Sequence, residues 1–300
     1  MSPDPFSFSD MTGCIRFSRY FIVLICTLLA QIGIARAETD REIFDRVHAA
    51  VSDCLSGPMG NLVLEVARAM EGTPYVASAL EVEPESLQIF LDRTDCILFV
   101  ETCTALALTF KGLEIVQGGN PVSAEPSYEL FCRNVRNLRY RDGIVDGYPS
   151  RLHYTSEWIR QGEANGIFTE LTPRLGEVKE QTFSFMSTHP DSYRQLKNSP
   201  ETRERIAQTE RMLTAGGPYY QIPQQRLPDP EVAAEIHDGD IIAFVSTVGG
   251  LDITHVGIAC TAGDGKMHFI HASTSSMKVV TEQKTLAAYA RTGVRLIRLN

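Results

Sequence analysis

Cys96 and His255 are the residues whose types and settings could do chemistry together. Asp95-Cys96 ends a strand-like run and opens an apolar, helix-like run from Cys96 to Thr109. A thiol at a helix N-terminus feels the positive end of the backbone dipole, which favours thiolate. Far downstream, His255 lies in Thr254-His255-Val256-Gly257-Ile258 and His271 in Phe269-Ile270-His271-Ala272-Ser273. A histidine that reaches the thiol can take its proton, and a second histidine can orient the first. The set implies a cysteine hydrolase with Cys96 as nucleophile, His255 as base and His271 as orienting group.

The strands must hold these groups in phase. On a period of two, His255, Gly257 and Ala259 share a face, and the small residues leave room for an approaching group. Met267, Phe269 and His271 share a face of the next strand, with His268 on the other. His271 can then sit beside His255 across an antiparallel pair, whereas His268 is turned away. His271 has a blander alternative as a hydrogen-bonded core histidine. The cluster His255, Cys260, His268 and His271 raises a zinc reading, but the directions diverge and no His-x-x-x-His or Cys-x-x-Cys spacing occurs. No metal is expected. Tyr75, in Gly72-Thr73-Pro74-Tyr75, could donate its hydroxyl to an oxyanion or be a packed aromatic.

Around these residues the chain reads as helices first and strands later. Ile43, Phe44, Val47, Val51 and Leu55 recur at helical spacing, Gly57-Pro58 breaks the run, and Leu62, Val63, Val66 and Met70 continue it. Leu87 to Leu91 reads as a buried strand. The run after Cys96 is apolar on nearly every side, as a central helix is. Residues 240–245, 254–260, 266–272, 278–281 and 294–299 read as strands, with Gly249-Gly250 and Gly263-Asp264-Gly265 as turns. Helices followed by a mostly antiparallel sheet argue for an α+β fold. Between about 111 and 237 the periodicity is weak, and we read helices and long loops.

The chain has 300 residues, 43% hydrophobic, enough for a real core, and a formal net charge of −9 that argues against nucleic acid as partner. Arg16 and Arg19, the apolar run Tyr20 to Ile34 and Ala35-Arg36-Ala37 form a signal peptide over 1–37, cleaved before Glu38. The alternative is an uncleaved anchor. Met11 is a second candidate start, since Asp4 and Asp10 are unusual in such a signal. The expectation is a single exported domain over 38–300, periplasmic or secreted, with no stable membrane insertion after cleavage. Of seven cysteines, Cys54, Cys96, Cys103, Cys132 and Cys260 would remain. That odd number suggests one reactive thiol with the others paired, or all five reduced.

Several segments resemble the NlpC/P60 superfamily of papain-like cysteine peptidases: Gly72-Thr73-Pro74-Tyr75-Val76, Asp95-Cys96, Asp238-Gly239-Asp240-Ile241-Ile242, His255-Val256-Gly257-Ile258 and His271-Ala272-Ser273. Others resemble its DUF1460 group of N-acetylmuramoyl-L-alanine amidase-like proteins: Tyr140-Arg141-Asp142-Gly143, Ser150-Arg151-Leu152-His153-Tyr154 with Trp158, Phe185-Met186-Ser187-Thr188-His189-Pro190 and Gly250-Leu251-Asp252. The resemblance implies a papain-like fold, with N-terminal helices and the nucleophile helix packed on the sheet and a large insertion at about 111–237. It implies no cofactor and hydrolysis of muropeptides between N-acetylmuramic acid, in its 1,6-anhydro form, and L-alanine. Tyr75 would sit near the oxyanion and Asp95 would shape the pocket. Arg151, His153 and Trp158 would meet the sugar, or else Trp158 packs a helix and His153 is structural. Ser187 and Asp252 are weaker candidates. The superfamily's hydroxyl residues after Asp-Cys are replaced by Ile97-Leu98, which argues against recognition of a free amine. The alternatives are a γ-D-glutamyl-diamino acid endopeptidase and a non-catalytic peptidoglycan-binding module.

Overall fold

The computed structural model describes residues 37–300, of which Thr39–Asn300 form one compact unit. The expected signal peptide lies outside the described residues except for Ala37. Among the described residues, no helix is long and apolar enough to cross a membrane.

Helix α1 (Asp40–Ala50) starts where Thr39 and Glu42 cap each other reciprocally. It buries Ile43, Phe44 and Val47. Helix α2 (Met59–Ala69) follows the Gly57-Pro58 break and buries Leu62, Val63, Leu64, Val66 and Ala67. Helix α3 (Cys96–Phe110) is buried all round from Leu98 onward. It packs between α2, helix α4 (Tyr128–Arg139) and the central strands, which explains its lack of a polar face. Phe44, Phe110 and Phe131 meet at this junction, with ring centroids 5.1 and 5.9 Å from Phe44.

The described strands form a two-stranded ribbon and an eight-stranded sheet. The ribbon is β1 (Leu113–Glu114) with β2 (Val122–Ser123). The sheet runs β4 (Glu177–Lys179), β5 (Tyr219–Pro223), β10 (Gly293–Leu299), β6 (Ile241–Val245), β7 (Ile253–Thr261), β8 (Met267–Ser273) and β9 (Lys278–Thr281), with β3 (Phe168–Glu170) also on β10. Each pairing is antiparallel. β10 is the hub: β6 lies along one edge, while β5 and β3 share the other. The protein is therefore α+β with antiparallel sheets.

Two expectations are corrected. Residues 87–91 form no strand. Asp40 and Arg139 side chains satisfy their backbone instead, Asp40 accepting from Leu91 N–H at 2.7 Å and Arg139 donating to Gln88 O at 2.5 Å. Segment 111–237 is more than helices and loops: besides α4, α5 (Thr155–Ala164) and α6 (Pro200–Ala215), it contributes β3, β4 and β5 to the main sheet. Of the two cysteine readings, the structure agrees with the unpaired one: Cys54, Cys96, Cys103, Cys132 and Cys260 are all free.

Candidate active site

Cys96 is the first residue of α3, and Asp95 is its N-cap, accepting from Leu98 N–H at 3.0 Å. The expected thiolate is not what this setting favours. Burial and then the Asp95 carboxylate push the thiol up to about 12, against the backbone N–H groups of Val256, Ile97 and Cys96. The helix terminus is outweighed, so Cys96 rests as a thiol and would need a base to act as a nucleophile. Val256 N–H against the sulfur also places the thiol beside the strand residue that follows His255.

His255 on β7 and His271 on β8 are joined by a 2.6 Å bond from Nε2 to Nδ1. The rings meet edge to face with centroids 4.9 Å apart. Burial and then His271 lower His255 to about 4, so it is a neutral base at neutral pH. Glu282, one residue beyond β9, brings Oε2 to 3.5 Å from His271 Nε2. That is an electrostatic contact, too long for a well-formed hydrogen bond. His271 Nε2 is buried with no closer partner among the described residues.

This contact orders the protons. A carboxylate can only accept, so it favours the proton of His271 on Nε2. His271 Nδ1 then accepts from His255 Nε2–H, and Nδ1 of His255 keeps its lone pair. Sequence reasoning missed Glu282. The available signal was its register: Glu282 N–H bonds Phe269 O at 2.9 Å, continuing the β8–β9 ladder next to His271. His268 lies apart, bonding Glu282 O at 2.9 Å, as the strand phase requires.

Cys96, Asp95, His255 and Ile97 line a cavity of about 260 Å³ together with Arg151, His153 and Trp158. The structure thus brings the strand residues and the insertion residues to one space. Tyr75 pairs with Thr94 as an isolated bridge, and burial together with the nearby Cys96 and Asp95 raises its hydroxyl pKa. It is not among the cavity-lining residues, but it stays a protonated donor near Cys96.

Of the two readings of the insertion residues, the structure agrees with the packed one for Trp158 and His153, and it closes Arg151 on protein partners. Arg151 is not free for a substrate carboxylate: its guanidinium donates to Glu85 at 2.6 and 3.2 Å, to Glu81 at 3.0 Å and to Leu80 O at 2.9 Å. It ties the 80–85 segment into the cavity wall. Behind it, Arg139 pairs with Glu101 at 2.9 Å, both buried. Trp158 offers no open face for a sugar ring. It is 2% exposed and packs on Phe168 with centroids 4.4 Å apart. His153 Nε2 lies 2.9 Å from Tyr148 O, and burial lowers this histidine to about 3. A carbonyl only accepts, so neutral His153 carries its proton on Nε2 and keeps Nδ1 as an acceptor. Asp252 caps α5 by accepting from Ser156 N–H at 2.7 Å, and Ser187 N–H donates to Glu210 at 3.1 Å, so both have structural partners. Among the described residues, no group of three or more His, Cys, Asp or Glu could hold a metal.

Comparison with known proteins adds a family. A model described as N-acetylmuramoyl-L-alanine amidase-like matches residues 65–294. Among solved structures, the chain is similar to an N-acetylmuramoyl-L-alanine amidase from Bacteroides uniformis, at 35% identity over 81% of this chain and 100% of that one, with a TM-score of 0.72. A putative xylanase from Bacteroides fragilis matches at 37% identity, over 77% of this chain and 98% of that one, with a TM-score of 0.68. A Legionella pneumophila protein carrying the DUF1460 family model shares the fold at 18% identity, over 85% and 93% of the two chains, with a TM-score of 0.60. No curated protein matches the sequence significantly.

Proposed function

The chain belongs to the N-acetylmuramoyl-L-alanine amidase-like family, and from that premise we propose a cysteine amidase that cleaves muropeptides between N-acetylmuramic acid, in its 1,6-anhydro form, and L-alanine. The observation that carries it is the 2.6 Å His255–His271 bond beside a cavity shared with Cys96. The fold is read as papain-like and of NlpC/P60 type, with 38–300 as one domain and the 111–237 insertion supplying the sugar-side wall. The expected signal sequence supports export to the periplasm or beyond.

The residues give a sequence of steps. The Cys96 sulfur attacks the lactyl carbonyl carbon while its proton moves to His255 Nδ1. The oxygen becomes negatively charged, and the Tyr75 hydroxyl is the candidate donor to it. The tetrahedral intermediate collapses: the C–N bond breaks, and His255 returns its proton to the alanine nitrogen. Water, losing a proton to His255, then attacks the thioester and releases the lactyl carboxylate and the thiol. Imidazolium forms transiently at His255, and His271 backed by Glu282 holds it in place and tempers its charge. The mechanism uses no cofactor.

A glycosidase reading, prompted by the xylanase name, fits less well. Canonical glycoside hydrolysis needs two carboxylates across the scissile bond. Here Asp95 caps α3, while Glu101 and Glu81 are paired with Arg139 and Arg151. The endopeptidase reading is disfavoured by Ile97, which gives the cavity an apolar wall next to the nucleophile. Mass spectrometry of products from a defined anhydro-muropeptide tests the proposal. An intact stem peptide beginning with L-alanine is expected. Cleavage between D-glutamate and the diamino acid would replace the amidase with the endopeptidase.

A further inference from the structure

His255 borders two cavities. Beyond the one it shares with Cys96, a second cavity of about 340 Å³ is lined by Phe244, Thr247, Thr254, Lys284, Tyr289 and Arg291 as well as His255. The two differ in charge. The nucleophile cavity has Glu81, Asp95 and Glu101 facing Arg139 and Arg151, largely paired among themselves. The second has two cations and no carboxylate in its lining. In a chain of net charge −9, that is a local reversal of sign. Lys284 and Arg291 are exposed, and among the described residues their side chains form no ion pair or hydrogen bond. Only the Lys284 backbone N–H is bonded, to Glu282 at 3.0 Å. The floor is aromatic, with Phe244 and Tyr289 centroids 5.0 Å apart and Phe244 stacked on His255 at 5.8 Å.

The chemistry decides which half of a substrate belongs where. The acyl half becomes bonded to Cys96, so it occupies the nucleophile cavity. The amine half receives its proton from His255, so it must depart from that residue. The geometry points to the Lys284–Arg291 cavity as the leaving-group subsite, a receptor for the carboxylates of an acidic stem peptide. This assignment rests on the amidase reading above. The α-carboxylate of the D-glutamate that follows L-alanine is the first negative charge beyond the scissile bond, and Lys284 and Arg291 are placed to take it. The alanine methyl would meet Phe244 and Tyr289, with the Thr247 and Thr254 hydroxyls available to peptide groups. Anionic steering toward the cations would also make capture of the substrate salt-dependent.

The test compares two anhydro-muropeptides that differ only in the D-glutamate α-group, carboxylate or primary amide, with wild-type protein and with Lys284→Met/Arg291→Met. For wild type, amidation should lower kcat/KM about tenfold, mainly through KM, a loss that corresponds to one charge-assisted contact. The double variant should show about the same loss on the carboxylate substrate and almost none on amidation. A second readout is calorimetric binding of the free stem peptide to Cys96→Ala protein, expected to weaken about tenfold when both cations are removed. Equal wild-type kcat/KM for the two substrates would overturn the subsite and leave the amidase standing. So would equal sensitivity to amidation in wild type and variant. Absence of cleavage at the muramyl–alanine bond of either substrate would remove the amidase reading, and the subsite with it.

Discussion

The two walls of the nucleophile cavity are built on opposite principles. The wall from the start of α3 and from β7 carries groups with one valence open: a thiol, an imidazole nitrogen with its lone pair, and a capped helix terminus behind them. The wall from the insertion carries charged groups closed on their partners, with Arg151 held by Glu81, Glu85 and Leu80 O, and Arg139 by Glu101. Both walls contain a histidine that burial keeps neutral, yet His255 is joined to another titratable ring and His153 to a carbonyl. The difference teaches that lining a cavity is not the same as acting in it. A side chain is available for chemistry only when its bonding capacity is incompletely used.

Breaking the open wall should have the largest effect. Cys96→Ala and His255→Ala should each reduce turnover by at least ~10³-fold, and the double variant should be little worse, because the pair acts as a unit. Single-turnover kinetics with a muropeptide checks this, with circular dichroism showing an intact fold. Near-full activity in Cys96→Ala would end the cysteine mechanism.

Breaking the closed wall should instead damage the fold. Arg151→Ala leaves buried Glu85 with only the Tyr140 hydroxyl as side-chain partner, and loss of one partner from a buried pair costs about 3–5 kcal/mol. Urea unfolding should show it as a shifted midpoint. A variant with unchanged stability but weakened substrate binding would return Arg151 to a direct role. Glu282→Gln lies between the two walls in effect. It should lower kcat about tenfold with little change in KM, since the amide no longer favours one His271 tautomer as strongly as a charge does. A larger effect on KM than on kcat would place Glu282 in binding.

The two histidines allow a finer comparison. His255 and His153 have folded pKa values of about 4 and about 3, below the ordinary 6.5. Groups depressed in this way stay neutral in the fold while the unfolded chain protonates. Stability is therefore full above pH 6.5 and falls as the pH drops towards 4 and 3, by about 1.4 kcal/mol per unit for each histidine. Urea titrations between pH 7 and 4 read this slope. The acid limb of kcat/KM should fall near pH 4, because His255 remains a base until then. A limb near 6.5 would mean that His255 is solvated in the working enzyme. Smallest of all, His268→Ala should change kcat/KM less than about twofold, since its ring bonds Glu282 O and Asp264 on the other strand face.

The open wall was legible in the sequence, and the closed one was not. Asp95-Cys96 at a helix start and the period of two around His255 and His271 are local patterns, and local patterns survive in a linear reading. The partners of Arg151 lie 66 and 70 positions away, and Glu101 lies 38 from Arg139. Nothing adjacent in sequence announces such pairs, so Arg151 read as a free cation, and Trp158 stayed open between a packed and an available ring. Strands β3, β4 and β5 were hidden because three to five residues give too little alternation to see. The thiolate was misjudged for a different reason. A helix terminus can be read from sequence, but the burial that outweighs it belongs to the assembled fold.

The hub position of β10 carries a consequence for how the protein comes into being. Every strand it binds is synthesised before it, and Arg295 reaches back 125 residues to Glu170. Until Gly293–Leu299 has emerged, β3 and β5 have no neighbour on that edge, and β6 lacks one of its two. Pairings of such long sequence separation form late and slowly. A chain that ends between β9 and β10 therefore holds Cys96, His255 and His271 while its sheet still lacks the strand that joins β6 to β3 and β5. The site is thus complete in its residues before it is complete in its fold, and the last strand to leave the ribosome is the one that ties the insertion to the sheet.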